Sequence, residues 1–230
     1  MSGWAEFGLA AGFFLISHAL PLRPRLRAKA GAALGARGFT VVYSLVSLLA
    51  LGWLIVAAGR APHVQIWPPA PWQAWVPFLA MLPAGLLLTC ALGVPNPLSF
   101  GGPADGFDPD RPGIAGVARH PLLWALSLWA LAHMVPNGDL AHVAMFGGLG
   151  GFALAGMVAI DARRRRLWGA ARWKQQARAT SALPLAALLR GRWRPRGPWP
   201  TGRIAAGAGL YLALLFLHRP VIGLSPFPVW

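Results

Sequence analysis

The sequence predicts an all-α fold: a polytopic transmembrane helix bundle of about six spanning helices, with the N- and C-termini outside. Three observations predict it. Hydrophobic residues make up 56% of the 230 and charged residues only 12%, about half the charged share of a typical soluble domain. A soluble chain this apolar would leave large greasy patches facing water. The apolar residues fall into runs long enough for a helix, rising about 1.5 Å per residue, to cross the bilayer core. The 21 basic residues, set against 6 acidic ones for a net charge of +15, gather in alternate connections.

The first expected span covers residues 4–22. Its positive charge follows the apolar run, at Arg23, Arg25, Arg27 and Lys29, and Glu6 stands at its front. A signal peptide carries its charge before the apolar stretch, so the expectation is a retained helix. The second and third spans, 39–58 and 74–94, hold no charged residue. The fourth, 117–135, carries Arg119 and His120 at one end and His133 near the other. Asn137, Gly138 and Asp139 predict a tight turn, with Asp139 capping the fifth span at 141–160. The sixth, 204–219, is the shortest and runs into a Pro-punctuated tail. Gly147, Gly151, Ala155 and Ala159, four residues apart, predict close helix approach.

Orientation follows from charge. With the N-terminus outside, segments 23–38, 95–116 and 161–203, together with Arg119 just inside the fourth span, hold all the basic residues except Arg60 and Arg219. The positive-inside rule places these segments in the cytoplasm. That accounts for the charge without nucleic acid and predicts a basic inner face on anionic lipid headgroups. Residues 1–230 read as a single domain with a basic cytoplasmic loop at 161–203, whose Leu167 to Arg203 stretch starts as an interfacial helix. The sole cysteine, Cys90, excludes an intrachain disulfide and any multi-cysteine metal site.

Chemistry is expected where ionisable groups enter the spans, because they are costly there. His18, His120, His133 and His218 stand out. An imidazole in a helix bundle can ligate haem iron, relay a proton or bridge helices. Depth along the helices pairs His18 with His120 and sets His133 about 15 Å away. Arg119, at the rim, can hold a phosphate or carboxylate. The residues alone leave these alternatives open.

Arg119-His120-Pro121, the run Trp129 to His133, Asn137-Gly138-Asp139, Phe146-Gly147-Gly148 and the arginines at 163–166 resemble the NnrU family of bacterial membrane proteins. His18 and Tyr43 fit the same family. The resemblance implies a multi-pass protein of the bacterial inner (plasma) membrane, associated with nitrite and nitric oxide reduction in denitrification. That family is similar to the plant zeta-carotene isomerase, a haem b enzyme. The likeness implies haem b here, with its iron ligands at His18 and His133, and a redox or isomerase role. His120 and Arg119 join them as cofactor-binding candidates. The alternate cysteine ligand of that enzyme falls on Ala130. Two further functions stand beside this one. One is a cofactor-free assembly or accessory factor that contacts other membrane proteins. The other is a membrane methyltransferase or reductase using Arg-His-Pro, although Leu123 stands where such enzymes carry a tyrosine.

Overall fold

The computed structural model describes residues 3–19 and 24–228. The end of the first expected span, 20–22, and Arg23 lie outside the described residues. The helices are α1 (Gly3–Ala19), α2 (Pro24–Arg60), α3 (Trp75–Ala91), α4 (Ile114–Val117), α5 (Pro121–Met134), α6 (Leu140–Trp168), α7 (Ala170–Ala177), α8 (Ala186–Leu189) and α9 (Thr201–Ile222). A 3-10 turn, Pro71–Ala74, leads into α3. Helices in four regions are long and apolar enough to cross a membrane: Arg37–Arg60, Pro71–Ala91, Leu140–Trp168 and Thr201–Ile222. They match the second, third, fifth and sixth expected spans.

Two boundaries differ from expectation for identifiable reasons. The fourth span was expected over 117–135, but its helix α5 has only 14 residues. Pro121 occupies its first turn, and His120 before it is non-helical at φ −115, ψ 65. A proline disfavours helical backbone in the residue it follows, so the chain turns at Arg119 and His120 instead of spiralling through them. Conversely, α6 does not stop at Ile160. It runs through Asp161 and the arginines to Trp168, and Gly169 at φ 79 ends it. Arginine is a good helix former, and nothing before Gly169 breaks the pattern. The first eight residues of the expected 161–203 loop are therefore helix. The same region holds α7 and α8.

The chain forms two compact units, Met1–Pro68 with Gly138–Met145, and Pro69–Asn137 with Phe146–Trp230. In the first, α1 packs along α2 and buries Ala10, Phe14, Ala50, Leu54 and Ala57. Gly35, at φ 70, kinks α2, a conformation that suits glycine. Glu6 pairs with Arg60 at 3.3 Å. Asp139 caps α6 as expected, accepting from the His142 amide at 3.2 Å.

In the second unit, α3 packs against α5 and α9. Gly207 allows the close α3–α9 approach, since a Cβ there would lie 2.7 Å from the Thr89 hydroxyl and 2.9 Å from Leu86. Arg203 closes the end of α3 by donating to the Thr89 and Leu92 carbonyls at 2.9 and 2.7 Å. Leu123 of α5 packs against Ala153 and Met157 of α6.

The loop from Leu92 to Gly113 is tied down by Arg178, which donates Nε and Nη2 to the Asp110 carboxylate at 2.9 and 2.5 Å. Hydrogen bonding to Arg178 holds Asp110 below its ordinary value of 3.8. The folded value is the lower one, so the pair's contribution is complete above the unfolded value and is lost as pH falls through the folded one. Hydrogen exchange, corrected for intrinsic rate, should show the Asp110 and Arg111 amides, both bonded to Asp108, protected from neutral pH down into the ordinary aspartate range, and loss of protection below it. Asp110→Asn should lack this transition, and a transition that persists in the variant contradicts the assignment.

Candidate functional site

The second unit contains a buried polar cluster at the turn between α4 and α5. Its position follows from the local sequence. Ala118 is extended, at φ −150, ψ 128, and Pro121 forces the break after it. Arg119 and His120 therefore leave the helix path and turn inward, with 7% and 0% exposure. A strap from the chain after α7 holds the turn. The Arg119 amide donates to the Ser181 carbonyl at 2.8 Å, the Leu185 amide to Val117 at 2.7 Å and the Trp124 indole to Ala182 at 2.7 Å. Gly116 gives the strap room, because a Cβ there would lie 2.3 Å from the Trp193 ring.

Asp161 is the counter-charge. Arg119 Nη1 donates to its Oδ2, and His120 Nε2 faces its Oδ1 at 3.3 Å. Arg119 Nε donates to the Thr180 hydroxyl at 3.0 Å, which donates in turn to the Ala177 carbonyl at 2.9 Å. The other nitrogen of His120, Nδ1, lies 3.2 Å from the Ser99 hydroxyl. Asn96 donates to the Arg119 carbonyl at 3.0 Å and accepts from the Leu98 amide at 3.1 Å. Charges this far from water persist only when paired and hydrogen-bonded, and Asp161 faces both side chains. The Arg119 guanidinium also lies 4.8 Å from the centre of the Trp173 ring, and that of Arg165 lies 3.9 Å from it.

The sequence-predicted residues are distributed as follows. Arg119 and His120 share this cluster. His133 lies in the last turn of α5, at the far end of that helix from His120. Its Nδ1 is 2.7 Å from the Trp129 carbonyl, and the Trp129 and Phe146 rings lie 5.9 and 5.7 Å from its own. His18 belongs to the first unit, where its Nδ1 is 2.8 Å from the Phe14 carbonyl, with Phe14 stacked at 4.1 Å and Tyr43 edge-on at 5.8 Å. His218 Nδ1 meets the Leu224 carbonyl at 2.8 Å. Among the described residues, no three His, Cys, Asp or Glu side chains gather in a metal-binding group.

Sequence reasoning missed Asp161, Ser99, Asn96, Thr180 and Trp173. A signal existed for one of them. Asp161 is the last acidic residue of the chain, placed where an apolar run gives way to arginines. The polar and aromatic partners carry no comparable mark.

The model of the NnrU protein family matches residues 6–226. Neither a curated protein nor a solved structure matches the chain. With apolar helices long enough to span, a match over nearly the whole chain and the Arg-His-Pro turn inside it, the chain belongs to the NnrU family of membrane proteins.

Proposed function

We propose that this is a multi-pass protein of the bacterial inner membrane that binds haem b. Its role is redox or isomerase chemistry linked to nitrite and nitric oxide reduction, and its basic face is cytoplasmic on anionic lipid headgroups. The observation that carries the haem reading is the state of His133. The Trp129 carbonyl can only accept, so Nδ1 carries the ring proton and Nε2 of the neutral imidazole carries the lone pair. Iron-ligating histidines use this arrangement, with a backbone carbonyl fixing both tautomer and ring orientation. Trp129 and Phe146 make the surroundings apolar, which suits a porphyrin.

His18 likewise has its Nδ1 against a backbone carbonyl, that of Phe14. A porphyrin supplies four of the iron's ligands, so the protein need supply only one or two. His18 and His133 are the proposed ligands, as the family resemblance implies. His120, held between Ser99 and Asp161, belongs to the polar cluster instead. When bound, the haem supplies one-electron chemistry. Ala130 offers no sulfur, so no exchange onto a thiolate occurs at that position.

The test is the visible spectrum of the full chain, purified in mild detergent from haem-replete cells. A Soret band that sharpens and shifts on reduction is expected. Absence of any band overturns the haem reading and favours a cofactor-free accessory factor.

A further inference from the structure

We propose that Trp173, Arg165 and Arg119 form a binding site for a phosphate-bearing anion, independent of the haem. The first observation is an orphaned donor. Trp173 is 7% exposed, yet its indole Nε1 is buried without a hydrogen-bond partner among the described residues. A buried N–H in that state costs about 1–3 kcal/mol, which an arriving acceptor would recover.

The second observation is uncompensated charge. Two guanidinium groups lie over the same indole, at 4.8 and 3.9 Å, and Arg192 is within electrostatic reach of Arg119. Among the described residues, the only carboxylate in the cluster is Asp161, whose two oxygens already face Arg119 and His120. One positive charge of the guanidinium pair is therefore left without a carboxylate partner among the described residues.

The third observation is access. Arg119 and Trp173 are buried, but Arg165 is exposed, so an anion can meet the Arg165 guanidinium from solvent.

The group that fits these donors is an anion with several acceptor oxygens. One oxygen takes the indole N–H and others take guanidinium edges. A phosphate meets this need better than a halide, since a guanidinium presents a fork of donors. The phosphodiester of a membrane lipid and free inorganic phosphate offer the same chemistry.

The test uses the full-length chain in a sugar-headgroup detergent. Native mass spectrometry follows phosphatidylglycerol binding, and phosphorus NMR follows inorganic phosphate. Trp173→Phe keeps the ring beneath both guanidiniums and removes only the N–H. Arg165→Gln removes a charge at an exposed position, so it should fold whatever Trp173→Phe costs the buried cluster around that ring. Arg163→Gln, on the same helix but outside the cluster, is the control.

One phosphate-bearing molecule per chain is expected. A hydrogen bond to a charged group is worth about 1.5–3 kcal/mol, so each site variant should weaken binding roughly tenfold or more, while Arg163→Gln binds like the parent. If phosphate displaces the lipid, the ligand is a free anion. If the lipid resists phosphate, the ligand is a headgroup. Both results support the site. No binding of either probe overturns it, as do Trp173→Phe and Arg165→Gln that bind like the parent, or an equal loss in Arg163→Gln.

Discussion

Asp161→Ala is expected to destabilise the protein by about 3–5 kcal/mol, the cost of leaving a buried charge without its partner. Two groups lose out. Arg119, 7% exposed, keeps only Thr180 among its side-chain hydrogen bonds, and His120, fully buried, faces a cavity. Asp161→Asn preserves shape and should fall between alanine and the parent. Removing Arg119 as well should cost less than the sum of the single changes, because the second substitution removes the charge that the first left stranded. Unfolding in detergent, followed by helix content, reads the four variants beside the parent. An Asp161→Ala variant within about 1 kcal/mol of the parent, the value of an exposed ion pair, contradicts the buried cluster.

Leu98→Ala is expected to cost about 2–5 kcal/mol, the range for emptying a filled core position. Leu98 lies in the loop between α3 and α4 yet has 0% exposure. It packs with Trp173 and Ala177, and Phe107 and Trp168 close around them. The cavity would adjoin the Trp173 ring, which carries the two guanidiniums. Leu98→Met, which nearly conserves volume, should cost less than about 1.5 kcal/mol. Equal losses for the two variants in the same unfolding assay would rule out cavity formation as the cause.

The sequence shows its helices more readily than its site, for physical reasons. Spans such as 39–58 and 74–94 are legible because apolar run length is a local property that the bilayer fixes. The start of α5 is less so: hydropathy carries through Val117 and Ala118, while the backbone is governed by Pro121. The end of α6 is hidden for the opposite reason, since charge ends a hydrophobic run without ending a helix. In the site, Arg119 and His120 announce themselves as costly groups beside a proline. Their partners do not, because they arrive from far along the chain. Asp161 is 42 residues from Arg119, Thr180 is 61, and Ser99 is 21 from His120. Only folding reveals that His120, which helix depth alone pairs with His18, already has Ser99 and Asp161 at its two nitrogens.

The haem assignment turns on one imidazole, and one comparison tests it most directly. The absorption spectra of His133→Ala and His120→Ala should be recorded beside the parent at equal protein concentration, in ferric and reduced states. The account predicts that His133→Ala loses or strongly shifts the Soret band while remaining folded. It predicts that His120→Ala keeps the parent's band per folded chain, even if less protein folds. A parent-like band in His133→Ala, or a band lost only in His120→Ala, contradicts it.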